Sequence, residues 1–363
     1  MSAASEVNLK QTLRKLEFPL CAKEALNKIG ELICGRITSI KNMDLALNLM
    51  SEFIFYEVDR RGNKRTSPLS ALMELHLLEI LFEHFNSLSN EAARNTVFLS
   101  LFSGTTAMQR AGILSKLVSL AIGIPSPAIL TSASTWMQQL GCTSVNSCKL
   151  AEAIVYDYFH LVPSASERMK TLPDVAPQFT ANFLTAVAEN YYNSKNKDQT
   201  YPSEGLLQTI TFWISQNACL CIAAQQKQAA LPPGAIAMEA TTAIAGLIRW
   251  CTLAPLCDQD SDLYCHLHLA LLNSILEIPQ TQPPKAISAQ HLTVALRHIL
   301  LSSNKGGKQP NLQIALDRFA QAVQVALATK CVYGKIDDLM SQLQQLPFNK
   351  LLSIIINTHK ESK

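Results

Sequence analysis

Five side chains of metal-binding type lie close together in this chain: Cys251, Cys257, Cys265, His266 and His268. A zinc site needs four such ligands, usually in close pairs, converging as a tetrahedron. Here five and seven residues separate the cysteines, and the histidines stand as H-x-H in a helical stretch. Residues two apart on a helix point about 200° apart, so His266 and His268 cannot easily share an ion. Cys265 and His268, three apart, could. By the same angles Cys219 and Cys221 diverge. The spacing favours packing over metal chemistry, and no cofactor is expected.

Other reaction chemistries find no framework. There is no G-x-S-x-G elbow, no phosphate loop of the Walker type and no H-E-x-x-H. Gly306-Gly307 sits in a polar connector with no apolar strand before it, which argues against a phosphate cradle. Asp337-Asp338 opens a predicted helix, where carboxylates favour the positive end of the dipole. The sequence reads as non-enzymatic.

Two clusters have binding character. Arg60, Arg61, Lys64 and Arg65 flank a Gly-Asn turn between helical stretches. Such a loop could be a nuclear-import signal, a phosphate contact or an ordinary solvated turn. No aromatic residue is interleaved with its charges, which weakens any single-strand nucleic-acid reading. Arg249-Trp250 is an arginine beside a tryptophan on an otherwise apolar helix, the composition of an interface hot spot or of a core anchor.

The elements that position these residues are helices. In 312–327 the apolar residues Leu312, Ala315, Leu316, Phe319, Ala322, Val323, Ala326 and Leu327 fall on one helical face. In 69–86 His76, Glu79, Glu83 and Asn86 make a narrow polar stripe in an apolar surround, which predicts a middle helix covered on several sides. Further helices are expected near 44–58, 90–103, 109–122, 127–140, 146–161, 176–192, 203–217, 238–254, 262–278, 287–302, 336–346 and 348–358. Breaks at Arg61-Gly62-Asn63, Pro125-Ser126-Pro127, Pro163-Ser164, 193–202, Pro232-Pro233-Gly234 and Pro283-Pro284 separate them. No fixed repeat period appears, but helix pairs recur every ~35–45 residues, the spacing of degenerate HEAT or armadillo stacks.

The expected fold is therefore all-α, an irregular helical-repeat stack of about 13–16 helices. Residues 1–15 are expected to be a flexible segment, 16–357 a continuous helical domain divisible near 195–235, and 358–363 a short disordered tail.

Composition bounds the partners. The 363 residues are 48% apolar and only 16% charged, with a net charge of +3. Globular chains usually carry roughly 25% charged residues. Either the core is large or part of the surface is covered by a partner. So small a net charge is no footprint for nucleic acid. The amino terminus has no apolar core of a secretory signal, so the ten cysteines are expected to be reduced, in cytosol or nucleus. No run reaches the ~18–20 apolar residues of a membrane span.

Seven runs resemble one family taken together: LHLLEILFEHF (75–85), ILSKLVSLAI (113–122), KLAEAIVYDYFHLVP (149–163), GLIRWCTLAPL (246–256), YCHLHLALLNSIL (264–276), LDRFAQAVQVALA (316–328) and LPFNKLLSIII (346–356). In order and in the unusual pieces GLIRWC-x2-APL and YDYFHLVP, they are similar to the family of Integrator complex subunit fifteen, over about 8–357. The resemblance implies a non-catalytic nuclear subunit of an assembly that acts on RNA polymerase II transcripts. It implies the tenth subunit as direct partner, with the thirteenth and fourteenth in the same peripheral arm and the fifth and eighth as plausible scaffold contacts. Longer members of the family carry a linker after the tryptophan helix and a Pro-rich tail; here only Cys257 to Leu263 join that helix to Tyr264.

Overall fold

The computed structural model describes residues 3–34, 39–65, 69–103, 108–162, 165–192, 201–222, 242–277, 286–304 and 309–361. The Pro163-Ser164, Pro232-Pro233-Gly234, Pro283-Pro284 and Gly306-Gly307 turns lie outside the described residues. Helices dominate, and the chain is all-α. The only strands among the described residues are two-residue segments, β1 (Ile287–Ser288) and β2 (Val332–Tyr333), paired in parallel with Ile287 opposite Val332.

Two compact units divide the chain, Met1–Leu140 and Gly141–Lys363. The division falls at a left-handed glycine, Gly141 (φ +88°). The first unit contains α1 (Ala3–Arg14), α2 (Leu20–Ile33), α3 (Ile40–Leu49), α4 (Ala71–Ser87), α5 (Glu91–Leu101), α6 (Met108–Gly123) and α7 (Pro127–Leu140). Residues 3–14 are helical where the sequence predicts flexibility. Leu13 is buried and Arg14 pairs with Glu52, contacts that a sequence window this polar does not announce.

Helix starts follow capping chemistry. Ser39, Ser70 and Asn90 each accept a hydrogen bond from the backbone N–H three residues on, opening α3, α4 and α5. Pro127 takes the first position of α7, where its missing N–H costs nothing. A π-helical turn, Met50–Ile54, prolongs α3. Helix α4 packs on α2, α6 and α7. Its Leu77, Ile80, Leu81 and Phe85 are buried, but Leu72 and Leu75 face solvent, so coverage on several sides holds only for its second half.

The second unit contains α8 (Val145–Tyr156), α9 (Ser166–Lys170), α10 (Leu172–Val175), α11 (Pro177–Asn190), α12 (Glu204–Gln216), α13 (Ile244–Leu253), α14 (Asp262–Leu276), α15 (Ala289–Asn304), α16 (Gln309–Ala328), α17 (Ile336–Leu343) and α18 (Lys350–Glu361). The single-turn helices α9 and α10 help raise the number above the expected 13–16. At the centre lies α13, touched by α11, α14, α15 and α16. That is why nine of its ten residues, Arg249 included, are buried. A helix this apolar around its circumference requires such a cage.

Candidate interaction sites

Helix α13 meets α11 at one carbonyl group. Ala188 lies in the last turn of α11, where carbonyls have no partner from within the helix. Trp250 Nε1 donates to the Ala188 oxygen at 3.0 Å, and so does Arg249 Nη2, also at 3.0 Å. The same guanidinium nitrogen donates to the Tyr191 oxygen at 3.3 Å and lies 3.4 Å from Glu189 Oε2. Tyr191 sets its ring edge-to-face on Trp250, centroids 5.3 Å apart. Trp250 is 0% exposed and Arg249 7% exposed, so neither offers a face to a partner in this unit. They hold two helices of the chain together, by a cation at the negative end of a helix dipole and an indole N–H beside it.

This junction is one case of a pattern. The four buried arginines among the described residues each donate to a carbonyl at a helix C-terminus: Arg94 to Leu88 after α4, Arg110 to Leu101 of α5, Arg249 to Ala188, and Arg318 to Cys251 of α13. The three tryptophans do the same, Trp136 to Phe102, Trp213 to Met169 and Trp250 to Ala188. Arg110 and Arg318 also take carboxylate partners, Glu57 and Asp260. A chain with few charges uses them where helix ends would otherwise be left unpaired in the core. Arg94, Arg110 and Arg318 are not singled out by the sequence reading. For Arg318 the signal was an arginine inside the otherwise apolar-faced run Leu312–Leu327.

The basic cluster is a folded hairpin. Val58 and Lys64 pair across it, and Gly62 (φ +82°) supplies the left-handed turn. Asp59 Oδ1 accepts from the N–H groups of Arg61 and Asn63, at 2.8 and 2.9 Å, and its Oδ2 accepts from the Asn63 amide. These donors, the Asn63 N–H foremost, hold the Asp59 carboxyl below its ordinary range. Arg65 is engaged: its Nε donates to the Val58 oxygen and its guanidinium lies 4.5 Å over the Tyr56 ring. Arg60, Arg61 and Lys64 point into solvent, with no ion pair among the described residues.

Cys251, Cys265 and His268 are gathered around Arg318 rather than around a common ligand point. Cys251 is buried, and burial pushes its thiol far up. His268 Nε2 lies 3.0 Å from Gln321 Oε1, and Arg318 Nη2 lies 2.9 Å from Cys265 Sγ. Among the described residues no three His, Cys, Asp or Glu side chains are placed to hold a metal ion. Cys219 is exposed and Cys221 buried on the 3-10 turn Ala218–Cys221, so they do point apart. Asp337 and Asp338 lie in the first turn of α17.

Several apolar side chains face solvent. Ile40, Met43 and Leu47 run along one side of α3, and Met43 and Leu47 line a groove of about 420 Å³ with Leu99 and Ser100 of α5. Leu269 and Leu276 stand exposed on α14. No described helix is long and apolar enough to cross a membrane.

These features define an all-α protein whose buried cations and indoles tie helix ends and whose outer helix faces are partly apolar. The family model described as Integrator complex subunit 15 matches residues 7–348. A Drosophila melanogaster relative named Integrator complex subunit 15 is 38% identical over 359 residues, covering 95% of this chain and 94% of its own. The human relative of the same name is 30% identical, covering 96% of this chain and 86% of its own. The chain belongs to the Integrator complex subunit 15 family.

Proposed function

We propose that the chain is a non-catalytic scaffold subunit of the Integrator complex, acting in the nucleus in the processing and termination of RNA polymerase II transcripts. It joins the peripheral arm of that assembly, with the tenth subunit as direct partner, the thirteenth and fourteenth beside it, and the fifth and eighth reached at the core. The observation that carries this reading is the family match along residues 7–348. The surface supports it. A low charged share lets helix faces such as the Ile40–Leu47 side of α3 be covered without stripping water from many ions. Obligate interfaces of this kind bury about 2,000 Å² or more.

Affinity purification of the tagged chain from nuclear extract, followed by mass spectrometry, tests it. Recovery of the tenth, thirteenth and fourteenth Integrator subunits in near-equal amounts is the expected result. A different set of proteins would replace it with a helical adaptor of another assembly. The reading also expects the isolated chain to self-associate and to improve on co-expression with its partner; a chain monodisperse at high concentration counts against it.

A further inference from the structure

We infer that the Val58–Lys64 hairpin is a preformed cationic contact that binds a carboxylate-rich peptide segment of a protein partner through Arg60, Arg61 and Lys64. This goes beyond the scaffold reading, on which it rests only in taking the partner to be a protein. It names a charged contact where the scaffold reading invokes apolar helix faces.

The nearby carboxylates each have partners. Glu52 accepts both Nε and Nη2 of Arg14, Glu57 accepts Nε of Arg110 at 2.7 Å, and Asp59 is consumed by the N–H groups of its own turn. The three cations at the tip are all exposed and make no ion pair among the described residues. Three exposed positive charges therefore stand within five residues, against the single carboxylate of Asp59 in the turn.

The backbone that carries them is tied at several points. Asp59 N–H donates to the Asn63 oxygen, Arg65 N–H to the Glu57 oxygen, and Arg14 Nη2 to the Arg60 oxygen. Arg65 on Tyr56 locks the base. A segment ordered before contact loses less conformational entropy on docking, so even a small patch can be selective. Two arginine forks at the tip suit carboxylates, which they take in pairs of parallel hydrogen bonds.

Protein is favoured over nucleic acid on two grounds. The one aromatic ring at the hairpin, Tyr56, is covered by Arg65 and cannot stack a base. Three phosphate contacts on a chain of net charge +3 would leave a single-strand salt slope of only about −2.

The test uses the full chain and two labelled probes, an oligoglutamate peptide and a single-stranded oligouridylate of equal charge, followed by fluorescence anisotropy over a salt series. The wild type is expected to bind the peptide at low salt and to release it as salt rises. The triple variant R60E/R61E/K64E should bind about tenfold or more weakly, since three exposed charge pairs are removed. The neutral variant R60Q/R61Q/K64Q should fall between them, and serves if charge reversal disturbs folding. Unchanged peptide binding in both variants would overturn the inference. So would tighter binding of the oligouridylate than of the peptide, which would make the hairpin a nucleic-acid contact. The isolated chain suffices for these measurements, so their failure leaves recovery of Integrator subunits, and the scaffold reading, to stand or fall separately.

Discussion

Gly246 approaches Ala188 more closely than two residues with side chains could: a β-carbon on Gly246 would lie 2.8 Å from Ala188 Cβ and 2.9 Å from the Ala188 oxygen. One turn of α13 thus converges on one residue of α11, Gly246 by its missing side chain and Arg249 and Trp250 by their donors. The run GLIRWC is the chemistry of a helix crossing.

Gly246→Ala is expected to destabilise the protein. The neighbour it meets includes backbone, which cannot swing aside, and overpacking of this kind costs about 1–3 kcal/mol. Helix propensity returns at most about 1 kcal/mol. Urea unfolding should show a lower midpoint with an unchanged slope; a midpoint equal to wild type would mean that the helices can separate at no cost.

Arg249 and Trp250 share an acceptor, so their losses should not add. Arg249→Met leaves the Ala188 oxygen one donor, and Trp250→Phe leaves it the other. Each single change should cost about 1–3 kcal/mol. The double variant strands the carbonyl in the core, and should exceed the sum by about 0.5–1 kcal/mol. A double-mutant cycle in urea measures this directly, and strict additivity would show that the two donors act independently.

Much of this was legible in the sequence. Periodicity marks most of the helices, since an apolar stripe recurs wherever a helix leans on one neighbour, as in Leu312–Leu327. The capping side chains Ser70 and Asn90 emerge only from the structure. The helix ends were harder. A carbonyl at a C-terminus can be satisfied by a donor sixty residues away, as Ala188 is by Arg249, and no local pattern announces that partner. Helix α1 was missed for the same reason, because Arg14 finds Glu52 only in three dimensions. Of the two binding clusters, the sequence located both but could not tell that one is buried and the other folded into a hairpin.

Arg110 should not tolerate lysine. Its guanidinium engages Glu57, the Leu101 oxygen and Ser51 Oγ while lying 4.5 Å over the Phe55 ring. Lysine keeps the charge but has no planar fork to reach these groups together. Arg110→Lys is expected to cost about 2–3 kcal/mol, read as a lower urea midpoint, and Arg110→Met more, because it leaves Glu57 without its partner.

Thiol labelling should follow burial. Cys34, Cys219 and Cys265 are exposed, whereas Cys21, Cys142, Cys221, Cys251 and Cys331 are buried. Burial also pushes the Cys142 and Cys221 thiols up to about 12, far from the thiolate that reacts. Brief alkylation of the folded chain near neutral pH, read by mass spectrometry, should modify the first three and spare the buried five. Rapid modification of Cys251 would show that the α13 cage opens readily.

Mild acid should weaken the fold before any carboxylate titrates. Burial lowers the pKa of His84, His268 and His298 below the ordinary 6.5, with Arg318 adding to the effect at His268 and Arg249 at His298. Gln321 opposes the shift at His268 by a hydrogen bond. With the folded values depressed, the unfolded chain binds more protons below about pH 6.5, so stability rises with pH across that window. The full contribution is present above about pH 6.5 and is lost as the pH falls toward the folded values. The thermal midpoint should therefore drop between about pH 7.5 and 5.5, a range above the usual carboxylate pKa. His268→Gln removes one titrating ring and can still donate to Gln321, so it should flatten this dependence. If the variant and the wild type lose equal stability over that range, His268 does not titrate against the fold.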